Sequence, residues 1–196
     1  MDDYYLRGEE RFGFLLSLGY WLASKMPQVR RFYGFVIDDV KGSGFSDVLD
    51  VGTGPGYIPT MLMEAGGFSH IGAVDPSKYM VSIARIRNKN PRIIFTTGSS
   101  RKIPFRRKFG LIISTLSFHH WKNRESSLRY LSGFLKKGGE IRIYEFDRDG
   151  AKGMGRGLVS PHSVSEREMR GIARKTGMKV KGIARKDGFI RVSLAG

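Results

Sequence analysis

The sequence predicts an α/β protein: a doubly wound sheet, mostly parallel with one antiparallel strand from a C-terminal hairpin, and helices on both faces. Three observations carry this expectation. From residue 47 onward short apolar runs alternate with helix-forming stretches, and a glycine-rich turn joins the first run to the helix after it. Near the end, two strand-like runs flank Asp187-Gly188, a dipeptide suited to the positive backbone angles of a tight hairpin. At 196 residues the chain is long enough for one sizeable core and short for two ordinary domains. One domain spanning 1–196 is therefore expected, with 1–44 as an N-terminal helical cap and 45–196 as the α/β core.

Taken in order, Phe14, Leu18, Trp21 and Leu22 recur at helical spacing, and Val29, Phe32, Val36 and Val40 do so more regularly, so two helices lead the chain. Pro27 suits the first turn of the second helix, where a missing amide donor costs nothing, and Gly42 with Gly44 can end it. Residues 48–51, 71–74, 93–96, 111–114 and 141–146 read as buried parallel strands, since a strand covered on both faces is apolar throughout rather than alternating. Residues 58–65, 77–88 and 125–137 read as the intervening helices, closed by Gly66-Gly67, Asn90-Pro91 and Gly138-Gly139. Residues 180–184 and 189–194 form the hairpin, and 150–157, with four glycines, is a flexible loop.

Composition excludes several classes. An apolar share of 40% with 27% charged residues is that of a packed globular chain. The absence of cysteine removes disulfides, thiolate zinc sites and a cysteine nucleophile, and no metal site is predicted. The apolar stretch 12–23 follows Asp2, Asp3, Glu9 and Glu10 against only Arg7 and Arg11, so it lacks the basic flank of a secretory signal and is too short to span a bilayer. A cytoplasmic protein with no transmembrane segment is expected. The net charge of +16, from 34 basic and 18 acidic residues, points to anionic partners such as RNA, an acidic protein, a phosphorylated metabolite or a membrane surface. Charge alone does not choose among them.

The segment VLDVGTGPGYIP at 48–59 places Gly52, Gly54 and Gly56 between a β-branched strand and an apolar helix. Glycine there allows backbone angles closed to other residues and lets a ligand approach the main chain, while the helix that follows presents free amides. The acidic residue expected about 20 positions on, to hold ribose hydroxyls, is met by Asp75 at the end of the second strand. The dinucleotide fingerprint, however, needs glycine at position 57, which is Tyr57, so nicotinamide and flavin cofactors are disfavoured.

These residues, with VDPSKYM at 74–80, GSSRKIPF at 98–105, SFHHW at 117–121 and LKKGGEIRIYEF at 135–146, resemble the Rossmann-like class I S-adenosylmethionine-dependent methyltransferases, in particular the ubiquinone/menaquinone-biosynthesis branch. The resemblance implies that Asp50 helps hold the methionine end of S-adenosyl-L-methionine, that Gly52, Gly54 and Gly56 line it, and that Asp75 binds the ribose. It further implies that Met80 packs on the adenine and that Ser114 lies beneath the reacting sulfonium. Ser99 stands where the family often has an acidic residue facing the adenine amino group.

Each residue also has a plainer reading. Asp75 can cap the helix after Pro76, and Met80 can be core. His119 and His120 can supply a general base, or can pack and line a substrate site with Phe118 and Trp121. The basic pairs and triplets, including Arg106, Arg107 and Lys108, are individually solvated surface and collectively keep RNA or another polyanion in view as a partner. The expected function is methyl transfer to a small-molecule acceptor. The alternatives are an RNA methyltransferase and a non-catalytic module of the same fold that binds RNA or an acidic partner.

Overall fold

The computed structural model describes residues 27–150 and 163–196. The first expected leading helix and the glycine-rich stretch beyond Gly150 lie outside the described residues. Within them the elements are α1 (Pro27–Lys41), β1 (Asp47–Val51), α2 (Tyr57–Ala65), β2 (His70–Asp75), α3 (Lys78–Arg87), β3 (Ile93–Thr97), β4 (Phe109–Thr115), a single 3-10 turn (Phe118–His120), α4 (Arg124–Ser132), β5 (Leu135–Asp147), β6 (Ser163–Val164), α5 (Glu166–Thr176), β7 (Lys179–Lys186) and β8 (Phe189–Ala195).

The strands form one sheet in the order β3-β2-β1-β4-β5-β8-β7, with the short β6 beside β5. All ladders from β3 to β5 are parallel, and β8 runs antiparallel to both of its neighbours, so it is the one reversed strand. Chain order reverses between β1 and β4, and in open α/β sheets such a reversal leaves a crevice at the carboxyl ends of the strands.

Two cores sandwich the sheet. Leu49, Val51, Ile112, Ile141 and Ile143 face α4 and α5, where Leu128, Leu131, Met169 and Ile172 complete the layer. Val48, Ile71, Leu111 and Ile113 face the opposite way, against Phe32, Val36 and Val40 of α1 and Ile58 and Leu62 of α2. Each such side chain removed from water contributes roughly 1.5–3 kcal/mol. Helix α1 is also fastened by charge, since Asp39 accepts from Tyr144 Oη at 2.6 Å and pairs with Arg142 at 2.8 Å and Arg191 at 3.1 Å.

Four expectations are corrected. The helix expected over 125–137 ends at Ser132, and Leu135 already belongs to β5. Gly138-Gly139 does not close a helix but lets β5 bulge: Phe109 pairs with Leu135 while Leu111 pairs with Glu140, so four residues stand opposite one. Gly138 takes φ +77°, and a Cβ on Gly139 would lie 2.7 Å from the Gly110 carbonyl. Helix α5, absent from the expected elements, has its signal in Ser165-x-x-Glu168: the Ser165 hydroxyl accepts from Glu168 N–H at 3.1 Å. Met169, Ile172 and Ala173 then supply a buried stripe at helical spacing. The cap of α3 is Ser77 and not Asp75, with Ser77 Oγ accepting from Met80 N–H.

Candidate cofactor cleft

The carboxyl ends of β1, β2 and β4 meet at an open cleft of about 850 Å³, whose wall includes Val51, Asp75 and Thr115 from those three ends. Helix α1 adds Phe32 and Tyr33, and the segment after β4 adds Leu116, Ser117, His120 and Trp121.

The glycine turn forms the floor, and each glycine answers to a different constraint. Gly52, Gly54 and Gly56 have φ of +83°, +54° and +79°, which side-chain-bearing residues rarely adopt. A Cβ on Gly52 would fall 1.9 Å from Ser117 Oγ, and one on Gly56 would fall 2.7 Å from the Phe95 ring. On Gly54 it would meet nothing within 4 Å, so this residue opens onto the cleft. Gly56 is therefore a packing glycine beneath the site, while Gly52 and Gly54 line it. The N–H groups of Gly52 and Thr53 both donate to the Val74 carbonyl, at 2.8 and 3.0 Å, which ties the turn to β2.

Asp75 completes that tie. Its carboxylate accepts from Gly54 N–H and from Ser77 N–H, each at 2.8 Å, so the end of β2, the glycine turn and the start of α3 are held by one side chain. Met80 is buried in the wall, and so are Ser99 and Ser100. The Ser99 hydroxyl accepts from Arg101 N–H at 3.3 Å, and Ser100 Oγ lies 2.9 Å from Ser127 Oγ.

Asp50 lies under the floor, fully buried in β1. Among the described residues neither of its carboxylate oxygens has a hydrogen-bond partner. Burial pushes its pKa up to about 7; the nearby Thr53 hydroxyl offsets part of that without forming a hydrogen bond, and the charge of Asp75 adds to the rise. A buried carboxylate left unsatisfied is costly, and it fits a cation or donor arriving at the turn above it. Ser114 is also buried and its hydroxyl has no partner among the described residues, but the cleft wall begins one residue later, at Thr115.

The two histidines part company. His120 lines the cleft. His119 turns inward, its Nδ1 2.9 Å from the fully buried Glu145 and its backbone N–H donating to the same carboxylate at 3.2 Å. Their rings lie 3.9 Å apart, so the anchored His119 supports the ring that faces the cleft.

Sequence reasoning did not single out Leu116, Ser117 or Tyr33 as site residues. Leu116 carries φ +46°, a strained value for a branched side chain, held by its N–H donating to the Tyr144 carbonyl at 2.9 Å. No local sequence pattern announces that strain. Tyr57 did leave a signal, as the residue that breaks the dinucleotide fingerprint. It lines the cleft, stacks on Tyr33 at 5.8 Å and is covered by Arg87 at 4.2 Å.

A doubly wound sheet with a glycine turn, a strand-end aspartate and a cleft at its switch point defines a class of proteins that bind nucleotide-like ligands. Residues 49–143 match the family described as "Methyltransferase domain". An uncharacterized methyltransferase of Alkaliphilus oremlandii is 36% identical over 97 residues, 48% of this chain and 43% of that protein. A malonyl-[acyl-carrier protein] O-methyltransferase of Priestia megaterium is 26% identical over 99 residues, 50% of this chain and 36% of that protein. Among solved structures, an S-adenosylmethionine-dependent methyltransferase from Aquifex aeolicus superposes with a TM-score of 0.65 at 23% identity, covering 77% of this chain and 81% of that one. The matches thus span about half or less of the curated relatives' lengths. Residues 49–143 thus form a methyltransferase domain, on the fold of the class I S-adenosylmethionine-dependent methyltransferases. Among the described residues no helix is long and apolar enough to cross a membrane.

Proposed function

We propose that the protein transfers a methyl group from S-adenosyl-L-methionine to a small-molecule acceptor, with the cofactor held in the cleft at the ends of β1, β2 and β4. The observation that carries this reading is the joint between the glycine turn and β2: Gly54 faces open space while its N–H binds Asp75 at 2.8 Å. A carboxylate has about four acceptor positions. That of Asp75 accepts from Gly54 and Ser77, and the same carboxylate would accept from the ribose hydroxyls.

Asp50 would balance the ammonium of the methionine end, and the Gly52 and Gly54 backbone would run alongside it. Gly56 supports the turn from beneath. Met80 and Ser99 would enclose the adenine, and Ser114 would underlie the reacting end. S-adenosyl-L-methionine supplies a methyl carbon already activated by its sulfonium. The chain's own part is then alignment and exclusion of water, which Phe32, Tyr33, Tyr57 and Trp121 provide as the cleft's aromatic wall. His120 is placed to take a proton from an acceptor that must lose one, and His119, fixed by Glu145, holds the turn that presents it.

The chain is read as a single domain, 1–196, with 1–44 capping the cleft and 45–196 forming the core, acting in the cytoplasm. The place of Phe32 and Tyr33 in the wall supports the cap. The malonyl-[acyl-carrier protein] relative supports a small acyl group as the methylated moiety over a nucleic acid. RNA methylation is a second reading, favoured by the net charge of +16.

Calorimetry with S-adenosylmethionine and S-adenosylhomocysteine tests the site, and a labelled-methyl screen of small-molecule, protein and RNA extracts tests the acceptor. No binding of either cofactor form would sink the first reading. RNA-dependent incorporation that disappears when Arg106, Arg107 and Lys108 become glutamate would replace the small-molecule reading with the second.

A further inference from the structure

We propose that the groove between α4 and α5 binds the phosphate group of the methyl acceptor, so that the acceptor is a phosphorylated small molecule whose other end reaches the cofactor cleft past Trp121. The acceptor half of this proposal rests on the methyl-transfer reading above; the phosphate site itself does not.

Trp121 lines both the groove and the cofactor cleft, so the two adjoin at that side chain. Six basic side chains line the groove against two acidic ones, Glu125 and Glu168. On α5 the groove face reads Arg167, Gly171, Arg174, Lys175, a spacing that brings all four to one side of a helix. A Cβ on Gly171 would meet nothing within 4 Å, which leaves a gap in the middle of a cationic stripe.

Most of these cations are already committed. Arg124 and Arg148 share Glu168, and Lys175 pairs with Glu125 at 3.3 Å. The side chains of Arg167 and Arg174 are exposed and make no hydrogen bond or ion pair among the described residues. Guanidinium groups match phosphate oxygens in geometry and charge, and a groove focuses their field. Arg124 links the groove to the chemistry: it donates to the His119 carbonyl at 2.9 Å and lies over the Phe118 ring at 5.1 Å, in the turn that ends at His120.

The same surface is poorly made for single-stranded RNA, which is held by aromatic platforms along a basic track. Trp121 is the groove's one aromatic lining residue among the described residues, and it is 5% exposed, packed on Phe118 at 5.0 Å with its indole N–H directed at Ser117. Tyr79 and Tyr130, exposed aromatics elsewhere on the described surface, lie outside it.

The test titrates the full chain with inorganic phosphate and with pyrophosphate, followed by amide chemical shifts. Saturable binding is expected, weakened about tenfold by Arg167→Gln with Arg174→Gln and by less than about twofold by the control pair Lys108→Gln with Lys137→Gln. Non-saturable binding, or equal losses in the two pairs, overturns the site. An RNA of about ten nucleotides that binds through Arg167 and Arg174 more tightly than pyrophosphate overturns the small-molecule assignment. Calorimetry with S-adenosylhomocysteine on the same samples separates the two readings. The groove variant is expected to keep its cofactor affinity, and a wild-type chain that binds phosphate but no cofactor overturns the acceptor half alone.

Discussion

Replacing Asp50 by asparagine removes one negative charge and keeps the shape of a fully buried side chain. Within the fold the Asp50 pKa is raised from 3.8 to about 7, chiefly by burial. Three units correspond to about 4 kcal/mol between the two protonation states. Because the folded value lies above the unfolded one, the folded chain keeps a proton that the unfolded chain has released. The associated stability is fully present below pH 3.8 and is lost as the pH rises through 7. Urea unfolding of wild type and Asp50→Asn at pH 5 and pH 8 isolates the effect, since other titrating groups cancel in the difference. The variant's stability relative to wild type is expected to rise by roughly 2–3 kcal/mol between those two pH values.

Cofactor binding turns this cost into a signature. If the ammonium of S-adenosylhomocysteine comes to rest against Asp50, its charged form is favoured and the proton must leave. At pH 6 binding should release about nine-tenths of a proton, and at pH 8 about one-tenth, read by calorimetry in two buffers of different ionisation enthalpy. Asp50→Asn should bind more weakly and release none from this group. Absence of proton release at pH 6, together with unchanged affinity in the variant, would refute the assignment of Asp50 to the cofactor.

Three further outcomes are expected. Asp75→Ala should weaken S-adenosylhomocysteine binding by roughly 1–3 kcal/mol, and Gly54→Val should abolish it, because the new side chain enters the cleft from a backbone at φ +54°; calorimetry that finds both unchanged places the cofactor elsewhere. Gly56→Ala should destabilise the fold by roughly 1–3 kcal/mol, as its Cβ meets Phe95 at 2.7 Å and Ala84 at 2.9 Å, and an unaltered urea midpoint would contradict that packing. Asp39→Ala leaves Arg191 without its carboxylate, Tyr144 without its acceptor and Arg142 with Glu140 alone. It should cost roughly 1–3 kcal/mol, and an unaltered urea midpoint would mean that the apolar face alone holds α1.

The parallel half of the sheet is legible in the sequence because its strands are buried on both faces, and runs such as Leu111, Ile112 and Ile113 have few other uses. The hairpin is legible through Asp187, which takes φ +52° beside Gly188. What escaped notice was structure whose signal is polar. The amphipathic stripe of α5 sits inside a run dense in charge, and β5 is interrupted by the two glycines that let it bulge. In the site, Gly52, Gly54, Asp75, Met80 and Ser99 come together at one cleft. Gly56 and Ser114 lie behind it because a strand or turn alternates which residue faces the ligand, and register cannot be read one residue at a time. The inward turn of His119 depends on Glu145, twenty-six residues away in sequence.

Within the charge excess that the sequence left unassigned, three carboxylates each serve two cations. Asp47 pairs with Arg107 and Lys136, Glu140 with Arg142 and Lys181, and Glu166 with Arg170 and Arg185. All three carboxylates are held below their ordinary pKa. Asp47 and Glu166 owe this first to the side chains bonded to them, and Glu140 owes it to its two partners acting against its burial. Their stability is present above the unfolded values of 3.8 and 4.5 and is lost as the pH falls through the lower folded values. Asp50 works in the opposite sense from 3.8 up to about 7. His70, depressed by burial and then by Arg107, costs stability below its ordinary 6.5, but it is partly exposed where Asp50 is wholly buried. The ligand-free chain should therefore be most stable on the acidic side, near pH 5, and S-adenosylhomocysteine should move that maximum above pH 7 by removing the Asp50 penalty. Thermal melts across pH 4–9, with and without the ligand, read this directly. A maximum above pH 7 in the ligand-free chain would show that Asp50 is charged at no cost in the empty cleft, and the case for a cation over the glycine turn would lose its physical basis.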